Sequence, residues 1–190
     1  MYIVSQNLSN YDVPIPDDCI FRINLAWINS LDELESLLQK HHSHKIFLDL
    51  PINRTKPPNN KYSMEDLVPI LESHSNIEYF AISNVDSAEY LEPFMKILPN
   101  SLNIVPKIEN AKGISNISEI VNSLQTSKKV IMLDHDDLFS SLIKQNESPS
   151  KFKDYINRLI DFCNSNNVIL LRTIGVVFSD DEKRITQYIK

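Results

Sequence analysis

Apolar and polar positions alternate along this chain in two rhythms. Short runs rich in Ile, Val, Leu and Phe recur at Tyr2–Ser5, Cys19–Leu25, Lys45–Leu50, Glu78–Ser83, Asn103–Ile108, Val130–Asp134, Val168–Arg172 and Gly175–Phe178. Such runs suit strands buried on both faces, as in parallel sheets. Between them lie segments with helical spacing: Ser30–Lys40, Ser63–Glu72, Ser87–Leu98, Ser115–Ser123, Asp137–Lys144 and Pro149–Asn164. In the first of these, Leu31, Leu34, Leu37 and Leu38 form one apolar stripe. Ser30 with Glu33 and Ser63 with Asp66 read as helix-start capping pairs, the first closer to the ideal box.

Strands that alternate with helices predict a parallel sheet with right-handed crossovers. Eight candidate strands predict a compact, trimmed (β/α)8 barrel of the TIM type, as one domain over residues 1–190. A barrel of that kind usually takes about 250 residues, so its loops must be short. Only Thr173 and Ile174 separate the last two candidate strands, and no crossover helix fits there. That pair is antiparallel, one strand is wrongly assigned, or the barrel stays open at that end. Asn53–Lys61, polar and carrying a Pro pair, reads as a loop.

Composition narrows the function. Hydrophobic residues make up 42% of the 190, enough for one well-buried core. The net charge of −6, without a basic run, gives no reason to expect nucleic acid or an anionic membrane as partner. No apolar stretch approaches the roughly 20 residues that span a bilayer. Met1–Asn10 lacks the basic and apolar regions of a signal peptide. Cys19 and Cys163 form no Cys-x-x-Cys motif, so neither a thiolate zinc site nor a disulfide framework is expected. The expected compartment is the cytoplasm, with homo-oligomers left open. Glycine occurs twice, at Gly113 and Gly175, which leaves little backbone that could approach a phosphate closely.

Candidate chemistry concentrates in residues 105–142. Lys107 and Glu109 lie two apart on one predicted strand, on the same face near its C-terminal end. Barrel active sites collect at that end. Asp137 follows the next strand, one βα unit later. Glu109 and Asp137 therefore belong on neighbouring strand ends, where two carboxylates suit Mg2+ or Mn2+, aided by Asp134 or Asp136. Lys107 would add a positive charge suited to an enolate or phosphoryl oxygen.

The Lys-x-Glu-Asn strand, followed by Gly, a helix, an apolar strand and Asp-Leu, resembles pyruvate kinase. FRINL at Phe21–Leu25 resembles that family's Arg-x-Asn-Phe strand. IFLDLPINR at Ile46–Arg54, Ser63–Asp66 and FAISNVDSA at Phe80–Ala88 extend the similarity in order over residues 20–145. The resemblance implies that Lys107 and Arg22 are catalytic and face phosphoenolpyruvate or a 2-oxo acid such as pyruvate. It implies Glu109 and Asp137 as Mg2+ ligands, and Asn24 and Asp49 beside a K+ ion. Asp137–Leu142 also resembles the metal-site turn of the aldolase and citrate-lyase β-type barrels.

Departures from the kinase pattern are specific. Too few residues separate Asp49 from Ser63 to hold its lid domain, and its C-terminal domain is not expected either. Ala26 and Leu50 replace two K+ ligands, and His135-Asp136-Asp137-Leu138-Phe139 replaces the Gly-bearing phosphate turn. Three functions follow: a kinase-like barrel binding metal and phosphoenolpyruvate or pyruvate with little phosphotransfer, a metal-dependent 2-oxo-acid lyase or aldolase, or a binding module without catalysis. Plainer readings stand beside these. Lys107–Glu109 and Arg22 also suit structural ion pairs, and Asp134, Asp136 and Asp137 suit helix caps. His135 reads as an exposed loop residue. His41, His42 and His44 read as cations at a helix C-terminus rather than zinc ligands, and Trp27 as an edge residue or a site wall.

Overall fold

A computed structural model describes residues 2–6, 15–53 and 58–172. It divides into two compact units, 1–83 with 89–105 and 84–88 with 106–190. Seven strands occur among the described residues, and every recorded pairing is parallel.

The first unit carries β1 (Ile3–Ser5), β2 (Ile20–Asn24), β3 (Lys45–Leu50) and β4 (Ile77–Ile82), paired in chain order. The helices α1 (Leu31–Lys40), α2 (Met64–Ser73) and, from its second residue, α3 (Ala88–Ile97) belong to it. The five residues Ile46–Leu50 of β3 are all buried, as a strand covered on both faces requires. On α1, Leu34 and Leu38 are fully buried while Leu31 and Leu37 flank them half-buried, so the expected stripe is the packed face.

The two helix starts differ from their sequence ranking. Ser63 accepts from Asp66 N at 3.2 Å, and Asp66 returns the bond to Ser63 N at 2.9 Å, a complete capping box. Ser30 accepts from Glu33 N at 3.1 Å, but the Glu33 carboxylate accepts from Asn29 N instead.

β5 (Asn103–Ile108) passes from the first unit to the second at Pro106. The second unit continues with α4 (Ala111–Ser115), α5 (Ile117–Ser123), β6 (Val130–Leu133), α6 (His135–Lys144), α7 (Lys151–Ser165) and β7 (Ile169–Arg172). Lys107 pairs with Met132, and Leu133 with Arg172. Phe152, Ile156, Leu159 and Cys163 form the buried stripe of α7. Burial pushes the Cys163 thiol up to about 11, which makes it an unreactive core residue.

These elements make an α/β fold on parallel strands. The closed eight-stranded barrel expected from the sequence is not shown by them. The eighth candidate strand, Gly175–Phe178, lies outside the described residues. No helix among the described residues is long and apolar enough to cross a membrane.

Candidate metal centre

The second unit's candidate residues are placed by two strand-to-helix turns. β5 ends at Ile108, with Lys107 on the strand and Glu109 one residue beyond it. Asn110 then caps α4, its Oδ1 accepting from Gly113 N at 2.8 Å. β6 ends at Leu133, and Asp134 caps α6 by accepting from Asp137 N at 3.2 Å. The cap places Asp134 beside Asp137 in the first turn, where the helix dipole favours negative charge.

Carboxylate oxygens of Glu109, Asp134 and Asp137 lie within 4.8 Å of one another. Opposed oxygens in a Mg2+ shell lie about 4 Å apart at the usual bond lengths, so small side-chain movements suffice to enclose an ion. Glu109 is 1% exposed and Asp137 5%. Lys107 Nζ lies 2.9 Å from Glu109 Oε1, and Glu109 Oε2 accepts from Asn84 N at 2.9 Å. Lys107 and Glu109 thus form a buried ion pair. Burial pushes the Glu109 carboxyl up to about 7 against the opposing pull of the Lys107 ammonium, and Asp134 and Asp137 add to the rise. Three carboxylates thus gather together, one of them paired with Lys107, and such a donor set suits a hard divalent cation.

The remaining candidates belong to the first unit. Arg22 on β2 donates through Nε to Asp49 Oδ2 on β3 at 3.1 Å, and its terminal Nη2 contacts the same oxygen. Asp49 is fully buried. Asn24 Oδ1 accepts from Ala26 N at 3.0 Å and caps the short 3-10 turn Leu25–Trp27, on which Trp27 stands exposed. The structure therefore joins Arg22 to Asp49, Lys107 to Glu109, and Glu109 to Asp134 and Asp137.

Two histidine expectations are corrected. His135 is not an exposed loop residue. It opens α6, is 5% exposed, and lies edge-on to Phe152. Arg172 donates to its Nε2, with Nη2 at 3.1 Å. A guanidinium has donors only, so Nε2 accepts and Nδ1 carries the proton. Burial lowers the His135 pKa, and the nearby Arg172 adds to that. His41 does not project a charge from the end of α1. Its ring stacks on Phe21 at a centroid distance of 3.8 Å, and burial lowers its pKa.

Sequence reasoning gave residues 84–88 no role at this site. Asn84 adopts a left-handed φ of 55° and presents its N–H to Glu109. An Asn directly after a strand was the available signal, since Asn tolerates that conformation. The short helix α4 was also passed over, because five residues containing a Gly carry no helical period.

No protein-family model matches the chain, and no curated protein matches it. Matching solved structures number 235 chains, so the fold is widely used and names no activity by itself. One of them, RipC from Yersinia pestis, superposes with a TM-score of 0.60 over 88% of this chain and 75% of that one, at 15% identity. The resemblance to pyruvate kinase is accordingly corrected. Strands alternating with helices and charged residues at strand ends are common to parallel α/β chains, and collinearity of such features does not require kinship. What the comparisons establish is a likeness of fold to RipC.

Proposed function

We propose that the second unit holds a hard divalent cation, Mg2+ or Mn2+, on Glu109 and Asp137 with Asp134 as a third ligand. On this reading the protein is a metal-dependent lyase or aldolase acting on a 2-oxo acid. The convergence of the three carboxylates within 4.8 Å at the C-terminal ends of β5 and β6 carries the reading. The cation would polarise the substrate carbonyl. Lys107, placed beside the carboxylates, would balance the negative charge that develops on the enolate oxygen.

Titration calorimetry with Mn2+ tests the metal. Binding by the wild type that is lost in Glu109→Gln is expected, and equal heats from both proteins would overturn the assignment. Loss of the pyruvate methyl proton signal in D2O, followed by NMR with and without Mn2+, tests the chemistry. Exchange no faster than in buffer containing Mn2+ alone would remove the enolate.

One observation favours a second reading, a structural polar network. Glu109 already accepts from Asn84 N and faces Lys107, and Asp134 already caps α6. That reading expects no Mn2+ binding, and a Glu109→Gln protein altered in stability alone.

A further inference from the structure

Glu109 is held from one side by backbone that belongs to a different connection. Residues 84–88 follow β4 and meet the end of β5 at two points and the α4 region at two more. Asn84 N donates to Glu109 Oε2 at 2.9 Å, and Val85 N donates to Lys107 O at 3.1 Å. Asp86 accepts an ion pair from Lys112 Nζ at 3.1 Å and, through its carbonyl, a bond from Asn116 Nδ2 at 2.9 Å. The turn is thus fastened to both β5 and α4.

It also passes close to Gly113. A Cβ added there would lie 2.5 Å from Val85 O, a backbone atom that no rotamer change can move aside. Gly113 is itself anchored, because its N–H donates to Asn110 at the start of α4. Any larger residue would therefore push Val85 outward. Asn84 immediately precedes Val85 in the chain, and its N–H would leave the Glu109 carboxylate.

We infer that Gly113 and the Asn84–Val85 turn are positioning residues for Glu109, and that they set the affinity of the cation site. The inference rests on the metal reading above. Two observations support a ligand at this place: the three carboxylates converge, and the buried Glu109 Oε1 has the Lys107 ammonium on one side only, at 2.9 Å. A hydrogen bond on the far oxygen of a ligating carboxylate fixes its rotamer. Loss of such supporting partners typically weakens metal binding by about 10–100-fold.

The experiment measures Mn2+ affinity by calorimetry and thermal stability by circular dichroism. Gly113→Ala should bind Mn2+ about tenfold more weakly than wild type. Asn84→Val reaches the same contact independently, since a β-branched residue resists the left-handed φ, and it should weaken binding similarly. Asn84→Gly keeps the N–H and tolerates that φ, so it should bind Mn2+ more tightly than Asn84→Val. Leu159→Ala lowers stability from the buried face of α7 and should leave affinity unchanged, which separates positioning from general destabilisation. If Gly113→Ala fails to fold, Asn84→Val against Asn84→Gly decides. Wild-type affinity in both Gly113→Ala and Asn84→Val would overturn the positioning role alone. Absence of Mn2+ binding by wild type would overturn it together with the metal reading.

Discussion

Each unit sets a strand-borne cation against a carboxylate, and the two arrangements differ in balance. In the first, Arg22 on β2 meets Asp49 across neighbouring strands, through Nε and Nη2 on one oxygen. In the second, Lys107 on β5 faces Glu109, with Asp134 and Asp137 close enough to raise the Glu109 pKa. The first is a matched pair, whose loss leaves a desolvated charge. The second carries an excess of negative charge, whose reduction relieves repulsion. A matched pair serves the fold, whereas an unmatched cluster costs stability until something positive joins it.

The largest expected effect is the stability difference between the two. Asp49→Asn should destabilise by about 3 kcal/mol, at the low end for a broken buried pair because Arg22 still meets solvent. Glu109→Gln in metal-free buffer should cost much less or nothing. Urea denaturation of both variants checks this, and equal losses would erase the distinction. Saturating Mn2+ sharpens it. At 100 times its dissociation constant the ion should stabilise the wild type by about 2.7 kcal/mol and leave Glu109→Gln unchanged.

A smaller effect is a pH slope. The folded-state pKa of Glu109 lies near 7, above its ordinary 4.5, so the folded protein binds more protons in that interval. Its contribution to metal-free stability is therefore full below about pH 4.5 and is lost as the pH rises through 7. Subtracting the Glu109→Gln profile from that of the wild type isolates the slope, and a flat difference would show that Glu109 ionises without cost. Mn2+ affinity should run the other way, strengthening as the pH rises through 7, because the ion requires the carboxylate.

The smallest effect comes from the first unit, with the opposite sign. His41 is neutralised by burial against Phe21, so its folded pKa lies below its ordinary 6.5. Its contribution is present above pH 6.5 and is lost as the pH falls through the lowered value. His41→Phe keeps a ring against Phe21 and should flatten the acid limb of the stability profile. An unchanged limb would assign acid sensitivity elsewhere, with His135 the next group to test.

Much of the framework was legible in local pattern. The strands Lys45–Leu50 and Asn103–Ile108 agree to the residue with their apolar runs. Lys107 and Glu109 share a face because strand side chains alternate with period two. One βα unit then brings Asp137 to the neighbouring strand end, where Asp134 joins it through the helix cap. The burial of His135 was not legible, because its contacts, Phe152 and Arg172, are remote in sequence. Local alternation alone made it look exposed. The pyruvate kinase resemblance failed for a related reason: matching strand motifs in order reports a shared rhythm, and rhythm is common to parallel α/β chains.

By itself the sequence determined the alternation of strands and helices, the capped starts of α1 and α2, and the positions of carboxylates and lysine along β5 and β6. These follow from side-chain spacing over a few residues, where backbone geometry leaves few choices. Tertiary structure alone decided that Arg22 pairs with Asp49, that Glu109 is buried deeply enough to hold its proton near pH 7, and that Val85 O closes on Gly113. Each of these is set by desolvation or close approach between segments far apart in the chain, and no local pattern encodes the distance between them.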